Sequence, residues 1–270
     1  MQFSVLLSLY MKESPIFLDQ SLSSIFNQTL TADEVVLVED GPLTPELYSI
    51  VNKYKSAHKE LKLVKLEKNG GLGRALNEGL RHCSYDLVVR ADTDDICKFD
   101  RFEKQVRFME SHPEIDVCSA AIDEFEGNKD SIVSTRALPC NHDELYKFGK
   151  RRNPINHPVS VFKKSAVESV GSYLHFYLFE DYYLWARMMV NGAKFHNLEE
   201  SLLYFRRSPQ MIKRRGGWKY AWTEMKFQCA LHKIGYIGFL TMIENIIIRF
   251  GLRIMPNNTR GLIYSKLLRK

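Results

Sequence analysis

The sequence predicts an α/β protein built on a mostly parallel sheet. Short apolar runs of strand length alternate with helical patterns of about 10–15 residues, which is typical of βαβ units. Polar or glycine-containing pieces directly follow three of these runs, where parallel sheets bind ligands. The chain has 270 residues, 45% of them apolar, so it can bury a sizeable core. The composition excludes collagen-like, disordered and disulfide-dense classes.

The elements of the first 97 residues follow in a regular order. The helical patterns place apolar residues on one face, as Leu18, Leu22 and Ile25 do. The first apolar run has no basic region before it and is soon interrupted by Lys12 and Glu13, which favours a buried strand over a signal peptide. The predicted strands are 3–10, 34–41, 61–69 and 85–90, and the predicted helices are 17–28, 45–58 and 72–82.

The elements predicted after residue 97 follow a less regular order. They are a helix at 101–109, a strand at 116–125, a helix at 141–150, a strand and helical turn within 157–171, and a helix at 179–192. The apolar segment 235–255 is broken by Glu244 and Asn245, so it falls short of the roughly 18–20 apolar residues that a spanning helix needs. It predicts an amphipathic helix that lies on a membrane or docks on the body.

Charge is distributed unevenly along the chain. From Arg206 onward there are 14 basic and two acidic residues, a net charge of +12, and the preceding 205 residues carry −6. Such asymmetry predicts a polyanionic partner, namely a membrane surface, phosphates or nucleic acid. No nucleic-acid-binding motif is recognisable, so nucleic acid is not expected. The five cysteines are odd in number and lack C-x-x-C spacing, which predicts packing roles in a reducing compartment.

Three aspartates in RADTDD, at positions 90–95, directly follow the fourth predicted strand. Alternate side chains share a face of a strand, so Asp92 and Asp94 can offer oxygens to one Mg²⁺ or Mn²⁺ ion. The alternative is a turn and capping cluster, in which Asp95 caps the next helix. Because the acids Glu39 and Asp40 also follow a strand, a convergent polar site is expected at this edge of the sheet.

Several other residues admit two interpretations. Gly71-x-Gly73 fails the dinucleotide fingerprint, but a glycine turn there could approach a ligand, with Arg74 placed to meet phosphate. Asp181 in FED is favoured at a helix start by the macrodipole. Its partly apolar surroundings would also raise its pKa towards that of a general base.

The remaining candidates are His157, Arg206 and Arg207. A lone histidine beside proline is expected to be structural, although it could also serve a site. The two arginines follow an apolar run and are either surface charges or a phosphate clamp.

Six segments in order resemble a GT-A glycosyltransferase of the large family-2 type across residues 2–207. They are SVLLSLYMKE, VVLVEDGP, KNGGLGRALNEGL, RADTDD, NHPVSVFKKS and FEDYYLWARMMVNG. The segment RRGGWKYAWTE also resembles bacterial enzymes that build O-antigen or exopolysaccharide units on a lipid carrier. The resemblance implies a GT-A, Rossmann-like nucleotide-binding domain at 1–207. Its nucleotide-sugar half would be 1–97 and its acceptor half 98–207, followed by a basic helical region at 208–270.

The resemblance also implies residue roles. The nucleotide-sugar would contact Tyr10, Glu13, Asp40, Asn69, Gly71, Arg74 and Asp92. In that set Asp40 would accept the uracil N–H. Mn²⁺ or Mg²⁺ would be held by Asp94 and Asp95. Asp181 would be the catalytic base, and the residues expected at the acceptor or diphosphate are Glu180, His157, Arg206 and Arg207.

The activity implied is an inverting, metal-dependent transfer of galactose or glucose from a UDP-sugar to an undecaprenyl-diphosphate-linked saccharide. A β-bond would form at the inner face of the cytoplasmic membrane, where the basic C-terminal region would bind. Two departures stand out: YFRR is not followed by the usual histidine, and Glu39-Asp40 replaces the common Asp-Asp. The alternatives are a nucleotidyltransferase of sugar phosphates and a non-catalytic nucleotide-sugar-binding protein at the membrane.

Overall fold

A parallel four-stranded sheet forms the first half of the fold. The computed structural model describes residues 1–207 and 217–254. The strands pair in the order β3-β2-β1-β4. The elements are β1 (Phe3–Leu9), α1 (Pro15–Phe26), β2 (Glu34–Glu39), α2 (Pro45–Ala57), β3 (Leu61–Lys65), α3 (Leu72–His82) and β4 (Leu87–Arg90). The predicted βαβ organisation is confirmed.

Local chemistry explains why these elements begin and pack as they do. Pro15 and Pro45 occupy the first turns of α1 and α2, where a missing N–H costs nothing. Thr44 caps α2 by accepting the Leu47 N–H at 3.4 Å. Gly79 lets α3 lie close to the sheet, because a Cβ there would lie 2.3 Å from a methyl carbon of Leu6.

The second half extends the same sheet with antiparallel and parallel strands. Its elements are β5 (Ile96–Cys97), α4 (Arg101–Ser111), β6 (Val117–Phe125), β7 (Ile132–Arg136), α5 (His142–Gly149), a 3-10 turn (His157–Val159), β8 (Val161–Lys163), α6 (Lys164–Ser169), α7 (Glu180–Val190) and β9 (Phe195–Arg206). Within the described residues the sheet has nine strands, in the order β3-β2-β1-β4-β8-β6-β9-β5, with β7 paired to β6.

The structure adds strands that the sequence analysis did not predict. The longest is β9, whose first half carries polar residues that hide the apolar pattern, yet it pairs with both β6 and β5. The two-residue β5 is too short to show a period, and β7 is a largely exposed edge strand. The third strand also ends at Lys65 rather than at residue 69, because the chain turns there to contact Asp40.

The chain is divided into two compact units. One comprises residues 1–175 and 180–206, and the other comprises 176–179 and 207–270. In the second unit the described helices are α8 (Trp218–Lys233) and α9 (Phe239–Ile254), the latter within the segment predicted as amphipathic. Residues 208–216 and 255–270 of the predicted basic region lie outside the described residues. The predicted boundary at 207 stays a prediction.

Two further findings concern the helices and the cysteines. No helix in the described ranges combines the length and apolarity needed to cross a bilayer. Cys83, Cys97 and Cys118 are buried, as expected, but Cys229 is exposed. The expectation that every cysteine packs in the interior is therefore wrong for Cys229, which lies on an outward face of α8.

Candidate active site

The candidate residues of the first half lie in the loops that follow β1 to β4. Tyr10 and Glu13 follow β1, Asp40 follows β2, Asn69 follows β3, and the aspartate cluster follows β4. Since the four strands are parallel, these loops share the carboxyl edge of the sheet. The predicted convergent edge therefore exists.

Asp40 organises the loop after β3. Its carboxylate accepts N–H groups from Asn69 Nδ2 at 3.0 Å, Gly70 N at 2.7 Å and Gly71 N at 3.0 Å. Three of its roughly four acceptor positions are thus occupied within the protein. Gly41, with φ +87°, permits this approach, because a Cβ there would lie 2.6 Å from Asn69 N. One acceptor position remains for a ligand N–H.

The aspartate cluster has a different character. Asp92, Asp94 and Asp95 each offer a carboxylate oxygen, and these oxygens lie within 4.8 Å of one another. Asp92 pairs with the fully buried Arg90. Asp95 Oδ1 accepts the backbone N–H of Arg206 at 2.8 Å. Within the described ranges, the buried Asp95 Oδ2 has no hydrogen-bond partner. Together these carboxylates form a concentrated, partly uncompensated negative charge.

Burial and mutual repulsion shift the pKa values in this cluster. Burial, with the nearby charges of Asp92 and Glu13, raises the pKa of Asp94 to about 7. Burial and the charges of Asp94 and Asp92 also raise the pKa of Asp95 well above its ordinary value. Burial thus opposes ionisation of these carboxylates more than the nearby Arg90 and Arg206 favour it. A divalent cation would favour the ionised forms, and the oxygen donors and unpartnered Oδ2 fit Mg²⁺ or Mn²⁺.

Glu13 adjoins the cluster from the loop after β1. Its carboxylate accepts Thr93 Oγ1 at 3.0 Å and the Ser14 backbone N–H at 2.8 Å. Burial raises its pKa. Tyr10, three residues earlier, is exposed. This places a half-buried acid and an exposed ring on the same loop.

Arg206, the last residue of β9, holds the aspartate loop in place. Its Nε donates to the Asp94 carbonyl at 2.9 Å and its NH2 group to Gln20 Oε1 at 2.6 Å. The guanidinium also stacks on the Phe17 ring at 3.9 Å. The side chain is therefore committed to holding the aspartate loop, rather than extended into solvent as a free phosphate clamp. Arg207 belongs to the second unit.

Helix α7 begins with Glu180 and Asp181. Asp181 Oδ2 accepts Asn153 Nδ2 at 2.7 Å. Glu180 lies against α3, since a Cβ on Gly73 would be 3.3 Å from Glu180 Cγ. The first turn of α7 thus faces the glycine loop that begins α3, next to Arg74. The structure therefore places the start of α7 beside α3, within the half predicted to bind the nucleotide-sugar.

The side chain of His157 is buried and is not open to a ligand. Its Nε2 lies 2.9 Å from the hydroxyl of Tyr173, and its ring packs against Trp185. Burial and the nearby charge of Arg90 lower its pKa well below the ordinary value. The imidazole is therefore neutral at physiological pH and is a structural partner of Tyr173. Tyr173 is fixed in turn by reciprocal hydrogen bonds with Asn77, at 2.8 and 2.7 Å.

Sequence reasoning missed several supporting residues. Arg90 ends an apolar strand just before three acids, so its pairing with one of them could have been predicted from the sequence. Asn153, Gln20 and Tyr173 carried no such signal, because their contacts join positions from 16 to 186 residues apart.

A Rossmann-like sheet with an aspartate cluster suited to a divalent cation at its carboxyl edge, and an acidic helix start beside the α3 glycine loop, is the arrangement of a GT-A glycosyltransferase. Residues 4–171 match the family described as Glycosyl transferase family 2. The chain belongs to this family.

Relatives and a solved structure agree with this assignment. The chain is 40% identical to the UDP-Gal:alpha-D-GlcNAc-diphosphoundecaprenol beta-1,3-galactosyltransferase of Escherichia coli, over 100% of this chain and 97% of that protein. It is 42% identical to the amylovoran biosynthesis glycosyltransferase AmsE of Erwinia amylovora, over 98% of each. The mannosyltransferase PcManGT of Pyrobaculum calidifontis, solved with GDP-Man and Mn²⁺, shares the fold. Its TM-score is 0.63 at 17% identity, covering 99% of this chain and 85% of that one.

Proposed function

We propose that this glycosyltransferase moves a hexose, with galactose the first candidate and glucose the second, from a UDP-sugar to an undecaprenyl-diphosphate-linked saccharide. The product would carry a β-bond and would belong to O-antigen or another surface polysaccharide. The observation that carries the proposal is the uncompensated aspartate cluster at the carboxyl edge of the sheet. The Escherichia coli relative, named for a UDP-Gal donor and a diphosphoundecaprenol-linked acceptor, supports the choice of substrates.

The nucleotide would lie across the carboxyl edge of β1 to β4. The one acceptor position left on Asp40 suits the uracil N–H, and its bonded loop brings Asn69 and Gly71 to the same edge. Tyr10 and Glu13 would flank base and ribose, with Asp92 directed at the ribose. Arg74, at the start of α3, would meet the diphosphate.

The divalent cation would be held by Asp94 and Asp95. When bound, it would neutralise the diphosphate and so stabilise the departing UDP. Asp95 Oδ2 is the buried oxygen that needs such a partner. The Arg206 contacts hold these two aspartates in place through one backbone carbonyl and one carboxylate.

Asp181 would act as the general base. Its carboxylate would take the proton from an acceptor hydroxyl while that oxygen attacks the anomeric carbon opposite the leaving diphosphate. A single displacement inverts the configuration, so an α-linked donor gives a β-linked product. The hydrogen bond from Asn153 fixes one oxygen of Asp181. Glu180 would bind sugar hydroxyls beside Gly73, and Arg207 would approach the acceptor diphosphate.

The lipid-linked acceptor would draw the chain to a membrane surface. The segment from Arg206 onward carries a net charge of +12, which favours the anionic inner face of the cytoplasmic membrane. The enzyme would therefore work in the cytoplasm as a peripheral membrane protein.

The test is a transfer assay with purified full-length protein. UDP-galactose, UDP-glucose and their N-acetyl counterparts would each be mixed with GlcNAc-diphosphate-lipid or GalNAc-diphosphate-lipid, with Mn²⁺, Mg²⁺ or chelator. Transfer of one hexose with UDP release is expected. Consumption of UTP with pyrophosphate release would instead identify a nucleotidyltransferase and overturn the proposal.

The base assignment has its own matched control. Asp181→Ala should lower turnover at least about a hundredfold, the scale of losing general-base help. Asp143→Ala removes an exposed acid from the first turn of another helix, α5, and should leave turnover unchanged. Near-normal turnover by folded Asp181→Ala protein would exclude Asp181 as the base.

A further inference from the structure

The helix pair α8–α9 has an unusual distribution of polar and apolar side chains. On α9 five large apolar side chains are exposed and recur with helical spacing. They are Phe239, Leu240, Ile243, Ile247 and Ile248. Leu240 is 83% exposed and Ile247 is 68% exposed. We call these five residues the α9 outer face.

The interior of the same helix pair contains polar side chains. Asn245 Nδ2 donates to Gln228 Oε1 at 2.9 Å, and Arg249 pairs with Glu224. Glu224 and Gln228 are each only 1% exposed. Asn245 and Arg249 are one helical turn apart, as are their partners, so the contacts form a two-step polar ladder between α8 and α9.

These two helices also bury apolar side chains such as Phe227, Leu231 and Met242, but the outward face of α9 departs from the usual rule for a helix in water. A water-exposed helix buries its apolar stripe and exposes its polar face. Polar contacts between helices with apolar side chains outside are instead typical of helices in lipid. The α9 outer face is therefore matched to an apolar medium rather than to solvent.

Length and charge specify how this face would meet a bilayer. A helix of 16 residues extends about 24 Å, less than the roughly 30 Å of a hydrocarbon core. Glu244 is also exposed beside the outer face, which is incompatible with deep burial. An interfacial helix meets both conditions, because it buries one face and leaves a charge at headgroup level.

Helix α8 supplies the groups that favour the headgroup layer. Trp218 and Trp222 are exposed one turn apart, and the Trp218 ring lies 5.2 Å from the Phe250 ring of α9. The exposed lysines of α8 are Lys219, Lys226 and Lys233. Tryptophan prefers the membrane interface, and lysine extends its charge to anionic headgroups.

We propose that the α9 outer face inserts into the headgroup and upper acyl layer of an anionic bilayer, with Trp218 and Trp222 at the interface. Attachment is then apolar as well as electrostatic. A second copy of the chain is the weaker occupant, because association through this region would bring two segments of +12 together. Membrane insertion does not depend on which sugar is transferred.

Vesicle binding of the full chain tests this proposal. Vesicles of phosphatidylcholine mixed with phosphatidylglycerol would be sedimented with protein at low salt and at about 1 M NaCl, where the screening length is about 3 Å. Wild type should retain binding at high salt. Leu240→Asn with Ile247→Asn should weaken partitioning at least about tenfold, since two buried apolar side chains are lost. Ile132→Asn, an exposed residue of edge strand β7, is the matched control and should bind normally.

A second measurement reports depth. Trp185 is fully buried, so Trp218 and Trp222 should account for quenching by brominated lipids. Quenching should be strongest with bromine near the headgroup and should be lost in the double Asn variant.

Two outcomes would overturn insertion. One is wild-type binding that disappears at high salt and is unchanged by the double variant, which would leave the basic segment alone as the anchor. The other is a dimer in lipid-free solution that the double variant converts to monomer. Transfer to a water-soluble acceptor analogue should be normal in the double variant, so failure of insertion and failure of the proposed reaction are distinguishable.

Discussion

Asp40 and Asp95 are buried carboxylates at the same edge of one sheet, and their surroundings differ. Asp40 is 3% exposed and accepts three N–H groups from a single loop. Asp95 is 2% exposed, accepts one backbone N–H and has an oxygen with no hydrogen-bond partner in the described residues. The carboxylate with three donors holds the loop after β3, whereas the one with an unpartnered oxygen is the carboxylate that we propose for the cation. The number of donors, rather than burial, separates the two roles.

The largest expected effect comes from the cation side of this comparison. Asp94→Ala should lower turnover at least about a hundredfold, because the cation loses a ligand. The metal-free protein should keep its free energy of unfolding or gain some, since a repelled buried charge is removed. Steady-state kinetics and urea unfolding measure both, with Asp130→Ala as an exposed-acid control. A marked loss of stability would mean that Asp94 is structural, like Asp40.

Asp40→Ala should behave in the opposite way. Three part-buried hydrogen bonds lose their acceptor, so the free energy of unfolding should fall by about 2 kcal/mol. Asp33→Ala removes a carboxylate that accepts one backbone N–H, from Phe3 at 3.0 Å, and should cost less. Urea unfolding without ligand distinguishes them. Equal losses would show that the three-donor arrangement is not special.

The stability of the metal-free protein should depend on the protonation of Asp94. Its pKa rises from the ordinary 3.8 to about 7 in the folded protein. The unfolded chain therefore releases this proton first, and the metal-free protein loses stability as pH rises from about 4 to about 7.

Cation binding should respond in the other direction, because it requires the ionised carboxylate. Mn²⁺ affinity should fall about tenfold per pH unit below pH 7 and level off above it. Calorimetric titration of the protein with Mn²⁺ measures this, with proton release below pH 7. An affinity that is flat across this range would contradict the raised pKa.

The smallest expected effect concerns the residue that fastens the aspartate loop. Arg206→Lys removes the donor to the Asp94 carbonyl and the contact with Gln20, but keeps the positive charge and the backbone bond to Asp95. Mn²⁺ affinity should fall about threefold to tenfold, as for loss of a residue that orients metal ligands. Arg136→Lys, another arginine over an aromatic ring, should bind Mn²⁺ normally. An unchanged affinity in Arg206→Lys would show that these side-chain contacts do not orient the metal ligands.

Much of the first half could be predicted from sequence because its information is local. The parallel strands are short apolar runs, the helices have caps and prolines at their starts, and α3 begins and ends where the pattern places it. The aspartate cluster was also legible, since three acids directly after a buried strand bring several carboxylates to the ligand-binding edge of the sheet. The difference between the two Asp95 oxygens was not, because it depends on the pairing of Asp95 with the backbone of Arg206.

The second half was harder to predict for a physical reason. Strand β9 has no clean alternation, and its position is set by pairing with β6 and β5 rather than by its own pattern. The contacts of Arg206 with Phe17 and Gln20 could not be predicted from the sequence, because they depend on where β9 places this side chain. His157 was expected to be structural by default, and its bond to Tyr173 agrees with that interpretation.

The pairing of Asp95 with the backbone of Arg206 also bears on the order of folding. The two partners are 111 residues apart in the chain. Closing so long a loop is slow, and β9 must also find a parallel partner, β6, across a large separation. On the ribosome, the β1–β4 sheet could assemble before β9 is available to pair with Asp95 of the aspartate loop. Binding competence would then emerge late and abruptly, when β9 docks.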